Sequence, residues 1–337
     1  MGERRSAWLD ARDRWARRRR ARLLVKEDLR FLVLRGGALG DVLLTLPTLR
    51  ALQNSGFVEF VAPFPAALVA RYGGAHAVSD LNSATLLSLF TEGGGLDGAL
   101  RQKLQGVDCV ICYLFDPQQA ISAKIKNCGC RFVSGPFRLD QEQLPAAVQL
   151  AQPLAELGVS MVDPVPRLFP ERQCSSRSRL VFHVGSGSPT KNWPTIQWAG
   201  LAAKLEERFD ELLLVSGEAD ETYTAEFLRQ YRNANLNVRS NLPVLDLAHE
   251  LAAADLFIGH DTGVTHLAAA VGTPTIALFG PTDPMIWRPL GDNVQVVSSE
   301  NETMEGLPLE QVWEALRRLD CGRTLQVQKV RRRIRKA

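Results

Sequence analysis

Residues 257–284 read FIGHDTGVTHLAAAVGTPTIALFGPTDP, a His-Asp-Thr-Gly corner set between two apolar runs. The run before it, Asp255 to Gly259 (DLFIG), is short and apolar, and the run after it, Thr273 to Phe279 (TPTIALF), is β-branched and bounded by glycines. Both read as buried strands. Val264 to Val271 reads as a short helix between them. A strand, a tight turn at Gly263, a helix and a second strand make one βαβ unit, with the helix N-terminus at the carboxyl end of the sheet. Free backbone N–H groups at such an end attract anions, most often phosphates. The other reading is a packed turn in which Asp261 and Thr262 only cap the helix.

Outward from this unit, the 337 residues are long enough for about two domains, and 45% hydrophobic with 23% charged residues is a globular composition. No apolar run approaches the ~20 residues of a membrane-spanning helix, and the N-terminus has charge without an apolar signal core, so the expected location is cytoplasmic. The net charge of +3 is unevenly spread: residues 1–30 carry eleven Arg/Lys against five acids and residues 321–337 seven against none, so the tails hold +13 and the body about −10. Trp8 and Trp15 lie seven apart beside Arg17 to Arg20, a pattern that suits a helix anchored on the anionic inner face of a membrane. A solvated basic extension accounts for it as well. Nucleic acid is not an expected partner, because the acidic body offers no groove for a phosphate backbone.

Cys109-x2-Cys112 and Cys128-x-Cys130 make two close pairs. Val107 to Phe115 reads as a strand, where positions three apart point to opposite faces, so core thiols account for them better than a metal site.

Arg30 to Arg35 (RFLVLR) reads as a first strand, followed by the Gly36 to Gly40 loop, a helix from about Asp41 to Gln53 and a strand at Phe57 to Ala62. Alternation continues to Arg131–Ser134. A proline-rich segment around residues 166–178 reads as a linker. A second alternation starts at Leu180 and closes with a helix at Leu309 to Leu319. The expected organisation is a basic extension (1–29), an α/β domain (30–165), the linker (166–178), a second α/β domain (179–320) and a basic tail (321–337). Strands alternating with helices argue for doubly wound parallel sheets, which bind ligands at their carboxyl ends. Two such domains would face a central cleft.

Three loops follow strands at those ends. In LRGGALGDVLLTLPTLRAL (34–52), Gly36, Gly37 and Gly40 permit a tight turn before Asp41, which either caps the helix or is delivered as a general base to a substrate hydroxyl. The dinucleotide fingerprint is absent here. In HVGSGSPTKNWP (183–194), the Gly185 to Ser188 amides and hydroxyls, Ser186 among them, and Lys191 could hold a diphosphate, although the loop is not a Walker A motif. The alternative is a flexible turn with a surface lysine. The third loop brings Asp261, Thr262, Gly263 and His266 to a helix start; a lone helical histidine is more often structural than catalytic. Glu218, after the strand Glu211 to Ser216, could take a ribose hydroxyl. The chain has no Asp-x-Asp, H-E-x-x-H or G-x-S-x-G, so no metal is signalled and the commonest motif-bearing hydrolases are set aside.

Taken in order, Arg35 to Pro47 (RGGALGDVLLTLP), His183 to Pro194 and Asp261 to Pro289 resemble glycosyltransferase family 9, the ADP-heptose heptosyltransferases of lipopolysaccharide core synthesis. The resemblance covers residues 30 to 320 and leaves the tails outside. It implies a GT-B fold, two Rossmann-like domains with the acceptor on the first and the nucleotide sugar on the second. It further implies metal-free, inverting transfer of a heptose from ADP-heptose to the inner core, either lipid A-Kdo or a heptose upon it. Asp41 matches the position of the base, beside an acceptor-side loop of Arg35, Gly36 and Gly40. Lys191, with Ser186, Thr262 and Gly263, matches the diphosphate site, and Glu218, Asp261 and His266 the nucleotide side. The implied partners are a nucleotide sugar and an anionic lipid-linked oligosaccharide, met by a monomer at the inner membrane surface. Competing readings are a family member with another nucleotide sugar or a non-lipid acceptor, a nucleotide-sugar epimerase of similar build, and a non-catalytic nucleotide- or lipid-binding member.

Overall fold

The structure, a computed structural model, describes residues 29–91, 94–139, 144–168 and 178–318. The basic extension, most of the expected linker and the basic tail lie outside the described residues, and with them the membrane-anchor reading of Trp8 and Trp15. The chain separates into two compact units, Met1–Leu168 and Phe169–Ala337.

In the first unit, strands β1 (Leu29–Leu34), β2 (Gly56–Ala62), β3 (Ala77–Asp80), β4 (Cys109–Cys112) and β5 (Arg131–Ser134) form a parallel sheet in the order β3-β2-β1-β4-β5. Phe31 to Leu34 of β1 are all buried, because this central strand is covered on both faces. The helix Leu39–Gln53 buries every residue from Val42 to Leu49, and Ala51 and Leu52 as well, so burial runs around its whole circumference, as in a helix that packs between a sheet and further helices. Cys112 and Cys130 sit in one hydrophobic cluster with Leu32, Leu34 and Ile125, whereas Cys109, also buried, is not part of it. Burial pushes the Cys109 thiol up to about 12 and that of Cys112 to about 11.

In the second unit, β6 (Arg179–His183), β7 (Glu211–Ser216), β8 (Leu236–Ser240), β9 (Leu256–His260), β10 (Thr275–Phe279) and β11 (Val294–Ser298) are parallel throughout, in the order β11-β10-β9-β6-β7-β8. The doubly wound α/β class expected from the sequence is therefore present in each unit. Strand β9 is shifted one residue from its expected position and takes in His260, and the helix that follows starts at Gly263. A helix over 309–318 ends the described chain. Among the described residues no helix is long and apolar enough to cross a membrane.

Both sheets reverse direction once. The chain fills one side of β1 and then returns to lay β4 on the other; likewise it fills one side of β6 and returns with β9. Doubly wound folds bind ligands outside the carboxyl ends of the strands at such switch points, where the loops leaving neighbouring strands diverge.

Candidate functional sites

At the first switch point, the residues following β1 meet those following β4. The Arg35 side chain, buried to 6% exposure, donates from Nη2 to Asp41 Oδ1 at 2.7 Å, and its guanidinium carbon lies 5.6 Å from the centre of the Tyr113 ring. Burial lowers the Arg35 pKa, with the Asp41 carboxylate and the Tyr113 hydroxyl opposing; an arginine remains charged even so. Tyr113 donates to the Leu150 carbonyl at 2.6 Å, and burial pushes its phenol up. Arg35 is thus fixed by charge on one side and an aromatic face on the other.

The helix begins at Leu39, two residues earlier than expected, so Gly40 and Asp41 both lie in its first turn and only Gly37, at φ +94°, provides the left-handed turn. A Cβ at Gly37 would stand 2.3 Å from Asp41 Oδ2, so the bare backbone is what gives the carboxylate its room. Asp41 Oδ2 accepts from the Ala38 amide at 2.9 Å, a cap on the helix start. Each carboxylate oxygen has one such partner, and the side chain is 35% exposed, so one lone pair on each oxygen is left for a substrate. Capping and proton acceptance are therefore compatible in this residue.

At the second switch point, the loop after β6 meets the corner after β9. Lys191 Nζ donates to Asp261 Oδ2 at 2.7 Å, uniting two of the three loops singled out from sequence. Burial raises the Asp261 pKa, but the His266 imidazole, with Nε2 3.8 Å from Oδ1, and the Lys191 ammonium outweigh it and hold the carboxyl below its ordinary range. The Gly263–Ala270 helix starts here with Thr262 at its cap position; the Thr262 hydroxyl makes no cap bond and lies 3.5 Å from that of Thr265. Its first amides therefore await another acceptor. Ser186 spends its hydroxyl within its own loop, donating to the Ser188 carbonyl at 2.7 Å and accepting from the Ser188 amide at 3.2 Å. Glu218 is exposed, on the 3-10 turn that follows β7. Gly36 belongs with Arg35 in the other unit.

What holds this loop is a set of residues to which the sequence reading assigned no role. His260 Nε2 accepts from the Trp193 amide at 2.9 Å and from the Trp198 indole at 3.3 Å, which leaves its proton on Nδ1, 3.5 Å from the Gly185 carbonyl. Burial, reinforced by His183, pushes the His260 pKa down to about 3. The Trp193 indole donates to the Leu307 carbonyl at 2.8 Å. The K-N-W-P ending thus anchors Lys191 through the residue two places beyond it.

Beneath the glycine-serine segment, His183 Nε2 and Asp220 Oδ2 are 2.7 Å apart, both nearly buried, and Asp220 Oδ1 accepts from the Gly217 amide at 2.9 Å. Burial raises the Asp220 pKa, but the His183 hydrogen bond and charge, with the backbone amides, bring it below the ordinary value. A Cβ at Gly185 would meet that of Asp220 at 2.2 Å. Asp220 therefore ties the loop after β6 to the turn carrying Glu218. The pair is 37 residues apart in sequence, with only an acid after a strand end as its signal. Among the described residues no group of three His, Cys, Asp or Glu side chains could hold a metal ion.

The family model for glycosyltransferase family 9 (heptosyltransferase) matches residues 131–313. Lipopolysaccharide heptosyltransferase 1 of Pseudomonas aeruginosa is 40% identical over 105 residues, 31% of this chain and 29% of that protein. Lipopolysaccharide heptosyltransferase 1 of Escherichia coli K12 is 31% identical over 136 residues, 40% of this chain and 42% of that protein. The chain thus spans less than half the length of these curated relatives. The family 9 glycosyl transferase structure from Veillonella parvula has a TM-score of 0.72 at 18% identity, covering 87% of this chain and 97% of that one. Escherichia coli heptosyltransferase WaaC with ADP has a TM-score of 0.67 at 20% identity, covering 86% and 99%. At these identities the two structures establish the shared fold.

Proposed function

The chain belongs to glycosyltransferase family 9, and we propose that it transfers a heptose, with inversion, from ADP-heptose to a hydroxyl of the lipopolysaccharide inner core. The acceptor in this reading is lipid A-Kdo or a heptose already upon it. Asp41 takes the proton of the acceptor hydroxyl; the oxygen forms its bond to the anomeric carbon as the bond from that carbon to the diphosphate breaks. The electron pair leaves with ADP, whose β-phosphate gains the negative charge. Lys191 and the unbonded amides at the start of the Gly263–Ala270 helix stabilise that charge, each such donor being worth about 3 kcal/mol in a preorganised site. Asp261 orients Lys191, Glu218 and His266 serve the nucleotide side, and Arg35 aims Asp41. No metal is needed in this scheme.

The observation that carries the reading is the position of the two charged clusters. Arg35 with Asp41, and Lys191 with Asp261, each occupy the switch point of a separate doubly wound sheet. One cluster offers a partly exposed carboxylate and the other a cation beside a helix start, the two complements that acceptor activation and diphosphate departure require. Relatives named as lipopolysaccharide heptosyltransferases, and the WaaC structure with ADP, make ADP-heptose the donor of choice. We assign the acceptor to the first unit and the nucleotide sugar to the second, with the enzyme acting as a monomer on the cytoplasmic face of the inner membrane.

The test is calorimetric titration of the chain with ADP, UDP and GDP without added metal, wild type against Asp261→Ala. Selective ADP binding that the substitution removes supports the donor assignment. Preference for UDP or GDP overturns ADP-heptose, and formation of a new nucleotide sugar without acceptor would make the protein an epimerase.

A further inference from the structure

Among the described aromatic residues of the first unit, Phe115 and Phe137 stand out because they touch each other without being buried. They are 60% and 46% exposed, their ring centres are 4.7 Å apart, and the planes are inclined by 34°. The Arg138 guanidinium carbon lies 6.0 Å from the centre of the Phe137 ring. Single exposed phenylalanines are ordinary, but a contiguous pair leaves apolar surface in water that a ligand could cover.

The pair is held firmly. Asp116, next to Phe115, accepts from the amides of Ile121 and Ser122 at 3.0 and 2.8 Å, fixing the loop to the helix that follows. Gly135, two residues before Phe137, packs so closely on the Tyr113 ring that a Cβ there would stand 2.2 Å from it. The location follows from the sheet register. Leu34 pairs with Cys112, Arg35 lies over Tyr113, and a Cβ on Gly36 would be 3.4 Å from Leu114. Phe115 is the next residue, so the rings sit beyond the carboxyl ends of β4 and β5, at the same end of the sheet as the Arg35–Asp41 pair.

We propose that Phe115, Phe137 and Arg138 form a stacking platform for an anionic sugar of the acceptor. The inference rests on the transfer reading and deepens it. The C–H face of a pyranose is weakly positive and lies well on the negative face of an aromatic ring. Arg138 adds a cation for a carboxylate or phosphate on that sugar. The platform would hold the acceptor so that one of its hydroxyls reaches Asp41.

The experiment compares the full chain with Phe115→Ala/Phe137→Ala, Phe115→Leu/Phe137→Leu and Phe115→Tyr/Phe137→Tyr, using Kdo-bearing lipid A in detergent at saturating ADP-heptose. The alanine and leucine pairs should raise the acceptor KM about tenfold or more, the tyrosine pair should stay within about threefold, and ADP affinity should be unchanged in all. An unchanged KM in the alanine pair overturns the platform. Wild-type behaviour of the leucine pair would also overturn it, pointing to acyl-chain contact, and so would a change of oligomeric state in the alanine pair. If wild type transfers nothing, the transfer reading fails and the platform is judged by saturation-transfer NMR with free Kdo: a signal that the alanine and leucine pairs lose and the tyrosine pair keeps supports it, and equal signals refute it.

Discussion

Acidification should weaken the second unit well above the pH at which carboxylates protonate, because His260 is a buried base that must stay neutral. An unfolded histidine titrates near 6.5, whereas His260 is pushed down to about 3 by burial and by His183. Below 6.5 the unfolded chain therefore binds a proton that the folded chain refuses, and stability falls with pH until about 3, by up to about 1.4 kcal/mol per unit. Between pH 7 and pH 5 the loss amounts to about 2 kcal/mol, equivalent to about 4–8 °C in Tm for a unit of this size. The assay is thermal unfolding of wild type and His260→Gln at pH 7, 6 and 5. Glutamine keeps an acceptor for the Trp193 amide but does not titrate, so its own pH dependence subtracts every other group. Asp220 and Asp261, whose carboxyls are held below the ordinary range, contribute stability that is complete above about pH 4 and is lost only as pH falls through their lowered values. Equal losses in wild type and variant, or a His260 imidazole that titrates near neutrality by NMR, would refute the reasoning.

Asp41→Asn should abolish transfer, a loss of about a thousandfold or more, and leave ADP affinity within about twofold; loss of ADP binding, read by calorimetry, would make Asp41 a scaffold instead. Lys191→Ala should weaken ADP binding by about tenfold or more, because it removes a charge-assisted contact; unchanged affinity would discard its diphosphate role. Asp220→Ala strips His183 Nε2 and the Gly217 amide of their acceptor and should cost about 3 kcal/mol in urea unfolding, with a loss under about 0.5 kcal/mol counting against the clamp. Cys109 and Cys112, buried and held as thiols, should resist a charged disulfide reagent at pH 8 until the unit unfolds; rapid modification of either in the native state would contradict their burial.

The sequence declared the βαβ unit after Asp255 because apolar runs, a glycine turn and a helical stretch agreed with one another. It was silent about β3, β8 and β11, three of the four edge strands, although it read the fourth, β5. Strand β8 buries almost nothing, and β3 has four half-buried residues, so neither carries an apolar pattern to read. The charged site residues could be named because they follow strands at glycine-bearing corners. Their supports could not. His260 is a strand residue whose role lies in accepting from an amide 67 positions away, and Asp220 meets His183 only once β6 and β7 are paired. Long-range hydrogen bonds leave no local periodicity. The Ser186 hydroxyl illustrates the converse: a residue chosen for its chemistry has that chemistry occupied within its own turn.

The packing behind Lys191 also makes its loop visible to light. The Trp193 and Trp198 rings are 5.3 Å apart and inclined at 78°, and the second lies 5.3 Å from His260. Two indoles so close and so nearly perpendicular couple their electronic transitions and yield a paired band in circular dichroism whose sign and strength depend on their mutual angle. The loop that positions the proposed diphosphate ligand thus carries an intrinsic chromophore, and its order can be followed in the unlabelled protein while nucleotide is added.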